Sequence, residues 1–255
     1  MCGILGFTGQ PKEGQWAETY CLLEVLFLAS QQRGWDATGL VARTESFKRQ
    51  QAGEIVMDKM PLAAQQFVDH NVTWRSLRHR RCTTVLGHVR LATHGSPVDN
   101  RHNHPLVGHS SLYLVHNGIL TNHRETAHHH GLRLSTGVDS ELILRFVETA
   151  KHPAMGLDHA LRNIEGSMTA VVYDGHRDTL YLARDDGRPL WLLRLTNDYR
   201  WFFASTREIL ADAFNAVIGN DWMNKTELLM PLAAGGVHLL KNSGQLLGLP
   251  NGMKG

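Results

Sequence analysis

The sequence predicts a mixed α+β fold in which helices accompany two stacked β-sheets. Segments typical of strands occur early in the chain and again late, and segments with helical periodicity lie between them. The chain has no G-x-G-x-x-G sequence and no phosphate-binding loop motif. Both observations favour one domain with two sheets over a doubly wound nucleotide-binding fold.

In the first half of the chain, Gln15–Ser30 is predicted to be a helix because its apolar residues recur at spacings of three and four. Pro61–His70 is predicted to be a second helix, with its proline in the first turn. Apolar and β-branched runs predict five strands: Gly3–Thr8, Leu40–Arg43, Glu54–Asp58, Thr83–Arg90 and Leu112–His116. The last strand is predicted to end at Asn117-Gly118, because both residues tolerate the positive φ of a tight turn.

In the second half, Val138–Ala150 is predicted to be a helix whose first turn contains Asp139 and Glu141, where the helix dipole favours acids. Thr206–Phe214 is predicted to be a shorter helix. The predicted strands are Met168–Tyr173, Thr179–Ala183, Leu190–Leu193, Trp201–Ala204, Val237–Leu240 and Leu246–Leu249.

Composition narrows the class of protein. The chain has 255 residues, with 26 Lys plus Arg and 24 Asp plus Glu, and a net charge of +2 gives no general case for binding nucleic acid. We find no repeat, no low-complexity linker, no signal peptide and no apolar run long enough to cross a membrane. We therefore expect residues 1–255 to form a single domain that binds neither nucleic acid nor membrane.

The chain has three cysteines, Cys2, Cys21 and Cys82, and no C-x-x-C pair. This pattern supports neither a disulfide framework nor a cysteine-rich zinc site, and a cytoplasmic location is the default expectation. Cys21 and Cys82 lie in or beside apolar patterns, so we expect both to be buried and unreactive.

Cys2 has a specific chemical meaning because it directly follows the initiator methionine. If Met1 is removed, Cys2 carries both a thiol and a free α-amine, whose pKa of about 7.7–8 lets it act as a base near neutral pH. Nucleophile and base then belong to one residue. By itself, a Met-Cys start is more often just a small residue that precedes a buried strand.

Other segments strengthen this interpretation. Six of them resemble, in order, the motifs of one family: Met1–Gly6, Arg33–Leu40, His88–Gly95 with His104-Pro105, His116–Asn122, Asp139–Glu141 and Ala183–Leu190. The family is that of the class II glutamine amidotransferases, whose N-terminal-nucleophile glutaminase domain occurs in glucosamine-6-phosphate synthase, amidophosphoribosyltransferase and asparagine synthetase. The resemblance implies a four-layer αββα sandwich and an enzyme that hydrolyses the glutamine side-chain amide through a cysteine thioester. It implies no cofactor and no metal.

The resemblance also implies roles for the reacting groups. Cys2 would attack the amide carbon, and its own amine would transfer the proton. The Asn117 side chain and the Gly118 backbone N–H would form the oxyanion hole. Arg33 would lie close to the nucleophile and order it. Without the other motifs, Asn117-Gly118 would be a plain turn and Arg33 a solvated charge.

A second set of residues would bind the amino-acid end of glutamine. The resemblance implies that Arg90 binds the α-carboxylate, a pairing suited to its planar guanidinium. Thr93 and His94 would line the same loop, and Asp139 would bind the α-ammonium group. The simpler alternative for Asp139 is a helix-capping acid, and both roles are compatible.

The chain departs from the family pattern at the walls of the site. Some members have an aromatic residue where this chain has Leu91, the aromatic of the early turn is Trp35, and the residues around His102-Asn103 differ from the usual pair. His102-x-His104 and His128–His130 could suggest a metal site, but their spacing fits zinc poorly. We expect His128–His130 to lie at a solvated helix end.

The family usually fuses this domain to a synthase that uses the ammonia. About 50 residues follow the motif-bearing part here, too few for a second catalytic domain. We therefore expect a glutaminase that supplies ammonia to a separate synthase subunit. Two alternatives stay open, which are a hydrolase of another γ-glutamyl or small amide substrate and a non-enzymatic regulator with this fold.

Overall fold

A computed structural model describes residues 1–45 and 53–249, so the parts of the predicted domain at 46–52 and 250–255 lie outside the described residues. The strands are β1 (Gly3–Thr8), β2 (Ala37–Thr44), β3 (Ile55–Met60), β4 (Cys82–Arg90), β5 (Leu106–Val107), β6 (Leu112–Leu120), β7 (Gly166–Asp174), β8 (Thr179–Arg184), β9 (Trp191–Leu195), β10 (Trp201–Ala204), β11 (Thr226–Pro231), β12 (Val237–Lys241) and β13 (Leu246–Leu249). The α-helices are α1 (Gln15–Ser30), α2 (Ala64–His70), α3 (Val72–Ser76), α4 (His123–His129), α5 (Glu141–Thr149), α6 (Pro153–Asn163) and α7 (Arg207–Ile218).

The strands form two antiparallel sheets. The seven-stranded sheet has the order β11-β9-β10-β1-β4-β2-β3, and the six-stranded sheet has the order β13-β12-β8-β7-β6-β5. Strand β1 joins segments that are distant in the sequence, because it pairs with both β10 and β4.

Alternating side chains on each sheet define four layers. On β1, Leu5 and Phe7 pack with the apolar side chains of α1, whereas Ile4 packs between the sheets with Val115 of β6. On the outer face of the six-stranded sheet, Leu114 packs with the apolar face of α5. Each sheet is therefore covered by helices on one side and by the other sheet on the other side. The predicted α+β, four-layer αββα sandwich is confirmed.

The start of β1 is held from several sides. The Ile4 amide donates to Ser205 Oγ (2.8 Å), and the Ser205 amide donates back to the Ile4 carbonyl (2.9 Å). A Cβ on Gly3 would lie 2.8 Å from the Val89 side chain of β4, which is closer than real Cβ contacts allow. The backbone directly after Cys2 is thus fixed in the middle of a seven-stranded sheet.

The prediction of a tight turn at Asn117-Gly118 is wrong. β6 continues through both residues to Leu120, and Asn117 pairs with Thr169 of β7. A Cβ on Gly118 would lie 1.9 Å from the Ser167 carbonyl oxygen, so glycine is needed here for close approach of two strands rather than for a turn.

Other expectations also need correction. Helix α5 begins at Glu141, so Asp139 precedes the helix instead of lying in its first turn. Cys82 is buried as expected, whereas Cys21 is exposed on the outer surface of α1. His128 and His129 are exposed at the end of α4, as predicted. Among residues 1–45 and 53–249, no helix has the length and apolar character needed to cross a membrane.

Two buried histidines lie between the sheets. The rings of His88 of β4 and His104 are in contact, with their centroids 4.4 Å apart and their planes tilted by 39°, and His88 Nε2 lies 3.0 Å from the carbonyl oxygen of His116 on β6. Burial lowers the pKa of His88 to about 3 and lowers the pKa of His104 well below its ordinary value. Both imidazoles are therefore neutral at physiological pH, and protonating either one would bury an uncompensated charge.

We predict that this pair makes the fold sensitive to acid. A histidine with a lowered folded-state pKa takes up its proton in the unfolded chain first, so stability falls as the pH drops below about 6.5. Each such histidine contributes a slope of about 1.4 kcal/mol per pH unit until the pH approaches its folded pKa. The measurement is the free energy of unfolding by urea between pH 7 and pH 4, for the wild type and for His88→Gln.

The substitution removes one titrating group. The unfolding free energy of His88→Gln should therefore change with pH less steeply than that of the wild type, by about one proton or about 1.4 kcal/mol per pH unit. His128→Gln is the matched control, because His128 is exposed at the end of α4. Parallel pH profiles for the wild type and His88→Gln would contradict the prediction.

Candidate active site

Cys2 lies at the end of the sandwich where β1 begins. Its thiol donates to the Leu91 carbonyl oxygen, with Sγ and O 3.5 Å apart, and its own carbonyl accepts from Arg33 Nε at 2.8 Å. Burial raises the pKa of the Cys2 thiol, and the hydrogen bond to Leu91 and the positive charge of Arg90 oppose this only in part. The thiol is therefore protonated at neutral pH, and its reaction as a nucleophile requires a base.

The segment Arg33–Asp36 packs against the end of β4, which contacts the Cys2 thiol through Leu91. A Cβ on Gly34 would lie 2.4–2.7 Å from backbone atoms of Arg90 and Leu91, so only glycine permits this approach. The Asp36 carboxylate accepts from the Ala92 amide (2.7 Å), and the Asp36 amide donates to the Arg90 carbonyl (3.0 Å). The turn and the end of β4 are thereby locked together.

Arg90 is buried at the end of β4 and organises the loop that follows it. Its Nη1 donates to Asn103 Oδ1 (2.7 Å), and its Nη2 donates to the carbonyl of His94 and, at 3.5 Å, to that of Gly95. These contacts use part of its five N–H groups and leave the others for a ligand. Thr93 lies in the same loop and is exposed.

The Asn117 side chain is a buried polar group of β6 that lacks a full set of hydrogen bonds within the described part of the chain. It is 1% exposed, yet its Nδ2 has no hydrogen-bond partner among the described residues. Because side chains alternate along a strand, Asn117 shares its face of β6 with Val115, which packs between the sheets together with Ile4 of β1. The amide thus lies on the face that is turned toward the sheet containing β1, the strand that directly follows Cys2.

Asp139 and His94 meet at the other side of the site. The distance between His94 Nδ1 and Asp139 Oδ2 is 3.9 Å. The Asp139 carboxylate is buried and accepts from the amides of Leu120 (2.8 Å) and Ser140 (2.9 Å), which fix its orientation. Its negative charge also raises the pKa of the Cys2 thiol, as expected for an acid close to a thiol.

The structure therefore groups Cys2, Arg33 and Arg90 around the end of β4, and it pairs His94 with Asp139. Asn117 and Gly118 lie in β6, whose inner face packs against the sheet that contains β1 and β4. Thr93 is the one predicted residue that faces solvent without a buried contact. Among residues 1–45 and 53–249, no group of three or more His, Cys, Asp or Glu side chains is arranged to hold a metal ion.

Sequence reasoning missed several supporting residues. Lys59 Nζ donates to the carbonyls of Asn103 (2.7 Å) and Pro105 (2.8 Å), and burial lowers its pKa to about 8. Ser140 Oγ lies 2.8 Å from His116 Nδ1. A lysine within a strand and a serine beside an acid carry no distinctive signal, because their partners come from distant segments.

Comparison with known proteins identifies the family. A model described as a glutamine amidotransferase domain matches residues 88–212. The glutamine–fructose-6-phosphate aminotransferase (isomerizing) of Bradyrhizobium diazoefficiens is 30% identical over 203 residues, covering 74% of this chain and 29% of that relative. The same enzyme of Halalkalibacterium halodurans is 27% identical over 197 residues, covering 72% of this chain and 29% of the relative. The chain spans less than a third of the length of these relatives.

Solved structures share the fold. The glutamine phosphoribosylpyrophosphate amidotransferase of B. subtilis, complexed with ADP and GMP, superposes with a TM-score of 0.69 at 21% identity and covers 99% of this chain and 50% of its own. A structure described as the allosteric regulatory enzyme of purine biosynthesis gives a TM-score of 0.69 at 20% identity, with the same coverage. Since the sequence likeness and the shared sandwich indicate one family, this chain carries a class II glutamine amidotransferase domain of the N-terminal-nucleophile type.

Proposed function

We propose that Cys2, after removal of Met1, hydrolyses the side-chain amide of glutamine to glutamate and ammonia. The thiol sulfur bonds to the amide carbon, the C–N bond breaks, and the thiol proton leaves on ammonia by way of the α-amine. Water then cleaves the glutamyl thioester and restores the thiol. The observation that carries the proposal is the buried Asn117 amide, which has no partner among the described residues and lies on the strand face turned toward the sheet that contains β1.

The α-amine is the base that this site needs. Burial raises the pKa of the thiol, so the thiol gives up its proton only to a neighbouring acceptor. A free α-amine has an ordinary pKa of about 7.7–8 and is partly neutral near pH 7. Arg33 holds the Cys2 carbonyl, which fixes the residue that carries both groups.

Asn117 Nδ2 and the Gly118 amide form the proposed oxyanion hole. A buried donor without a partner costs free energy in the resting protein. It stabilises the negative charge that develops on the amide oxygen, and it needs no rearrangement when that charge appears. The arrangement therefore favours the transition state over the substrate.

The amino-acid end of the substrate is assigned to four residues. Arg90 offers its remaining N–H groups to the α-carboxylate and holds the loop that contains Thr93 and His94. The Asp139 carboxylate accepts from the α-ammonium group. This pairing selects a free amino acid and leaves the group at the far end to the shape of the pocket, so glutamine and other γ-glutamyl compounds are separate outcomes of the assay.

We further propose that the ammonia passes to a separate synthase protein. Two exposed apolar side chains support this: Trp35 is 60% exposed and Leu91 is 40% exposed. Both lie where the backbone of Gly34 contacts the end of β4, and a docked partner would cover them. A single glutaminase domain over residues 1–255 and a cytoplasmic location belong to the same proposal.

The first prediction concerns the nucleophile. Cys2→Ala, with Met1 removed, should lower glutamate release from glutamine to the background rate, because the thiol that forms the proposed thioester is lost. The assay is enzymatic measurement of glutamate and ammonia, and intact-mass spectrometry verifies the N-terminus. Cys21→Ala is the matched control because its thiol is exposed on α1.

Three outcomes of that experiment separate the alternatives. Equal activity of Cys2→Ala and wild type would overturn the proposed mechanism. Turnover of other γ-glutamyl amides, without turnover of glutamine, would favour the alternative hydrolase. A processed wild-type protein that cleaves neither kind of substrate, with or without a synthase, would favour a regulator.

The second prediction concerns Asn117. Asn117→Ala should lower kcat about 10²–10³-fold, corresponding to about 2.7–4 kcal/mol of barrier, and should change KM little, because the donor acts on the transition state. Asn215→Ala is the control, since Asn215 is exposed on α7. Circular dichroism and a thermal melt verify that both variants fold. A rise in KM with unchanged kcat would contradict the oxyanion-hole assignment.

The third prediction concerns Asp139. Asp139→Asn keeps the shape but loses the charge, and KM for glutamine should rise about 10–100-fold because a charge-assisted hydrogen bond contributes about 1.5–3 kcal/mol. Steady-state kinetics at pH 7.5 measure this change. An analogue without the α-amino group should bind wild type and variant alike. If KM for glutamine does not change, Asp139 does not bind the ammonium group.

A further inference from the structure

Arg188 lies at the N-terminus of the chain, although the proposed mechanism assigns it no role. Arg188 belongs to the loop between β8 and β9. Its Nη1 donates to the Met1 sulfur, with N and Sδ 3.0 Å apart. Its Nε is buried and has no hydrogen-bond partner among the described residues. The contact with Met1 disappears once Met1 is removed, and the guanidinium then lies within about 10 Å of the new N-terminus.

Arg33 brings a second guanidinium to the same place. Its Nε donates to the Cys2 carbonyl at 2.8 Å. Besides burial, the positive charge of Arg188 lowers the pKa of Arg33, as expected for two cations close together. Neither guanidinium forms an ion pair with a carboxylate in the part of the chain that the structure describes.

The backbone holds Arg188 in position independently of Met1. Its carbonyl accepts from Thr169 Oγ1 (2.7 Å) and from Arg184 Nη1 (3.0 Å). The nearby carboxylate of Asp185 is already bound by the amides of Met168 (2.6 Å) and Gly187 (2.7 Å). The backbone of Arg188 is thus held in place without Met1, and no carboxylate of the described residues lies within ion-pair distance of its guanidinium.

We propose that Arg188 and Arg33 are a pair of cations that keep the freed α-amine of Cys2 in its neutral, proton-accepting form. The inference rests on the proposed function, in which that amine is the base. Protonating the amine would add a third positive charge beside two cations that lack ion pairs, so their fields favour the neutral amine. Arg188 does not contact the substrate in this proposal. Its positive charge acts on the reaction by way of the α-amine.

The expected size of the effect follows from distance. Standard bond lengths place the nitrogen of Cys2 within about 7 Å of the Met1 sulfur, and thus within about 10 Å of Arg188. At that distance near a protein surface, the field of one cation shifts the midpoint of amine titration by about one pH unit, and salt screening over about one Debye length reduces the shift to about half a pH unit. The other charged groups that face Cys2 are Arg90 on β4 and Asp139 before α5, and both are the same in all Arg188 variants.

The experiment compares Arg188→Gln, Arg188→Lys and Arg207→Gln in protein shown by mass to lack Met1. Arg207 is exposed at the start of α7 and controls for a loss of charge elsewhere. The first readout is the acid limb of the pH profile of kcat/KM for glutamine. The second titrates the amine directly, by the pH dependence of trace acetylation of the N-terminal peptide, in a Cys2→Ser background that keeps the amine and removes the thiol.

In both readouts, Arg188→Gln should move the midpoint upward by about half a pH unit, because removing a cation makes the ammonium form easier to reach. Arg188→Lys should restore most of the shift, and Arg207→Gln should leave the midpoint unchanged. An unmoved midpoint in Arg188→Gln, an equal shift in Arg207→Gln, or a rise in KM alone would overturn the inference.

The two readouts keep this inference separate from the proposed function. The acetylation titration requires no turnover, so it tests the cation pair even if the protein does not cleave glutamine. If glutamine turnover depends on Cys2 while the titration midpoint is the same with and without Arg188, the proposed function stands and the cation pair is refuted.

Discussion

The candidate site depends on the fixed position of β1 in the middle of the seven-stranded sheet. A nucleophile at the end of a chain would ordinarily be mobile, because terminal residues rarely have neighbours on all sides. Here the residues after Cys2 pair with β4 on one side and β10 on the other, and Ser205 binds both backbone groups of Ile4. The same pairing brings the end of β4, with Arg90 and Leu91, beside the thiol.

The glycines and the buried acids reinforce this constraint. Gly34 and Gly118 stand where a side chain would collide with neighbouring backbone, so the turn before β2 and the middle of β6 can approach their partners closely. Asp36 then joins the turn to the end of β4, and Asp139 joins the start of α5 to Leu120. The polar groups of the proposed site are thereby held by hydrogen bonds to the backbone, which favours a preorganised site.

Much of this arrangement could be predicted from local sequence. Helix α1 and strand β1 have the predicted bounds because hydrophobic periodicity reports burial directly. The Asn117-Gly118 turn was wrong because the same dipeptide serves a turn and a close strand contact, and only pairing with β7 decides between them. Helix α6 and strand β11 were missed, since α6 is short and half polar and β11 is a partly exposed edge strand.

The order of the family motifs predicted that Cys2, Arg33, Arg90 and Asp139 belong to one site. Local sequence patterns alone would have assigned these residues to turns, helix caps and solvated positions. The hydrogen bonds of Lys59 and the contact between Arg188 and Met1 depend on long-range packing, which no local spacing reveals.

The most direct test of the proposed mechanism is detection of its covalent intermediate, the glutamyl thioester of Cys2. Protein freed of Met1 would be mixed with glutamine, quenched in acid within the first turnover, digested and analysed by mass spectrometry. The proposed mechanism predicts a glutamyl group on the peptide that begins with Cys2, and no such group on protein that retains Met1. Release of glutamate by protein that retains Met1, or a glutamyl group on any other residue, would contradict it.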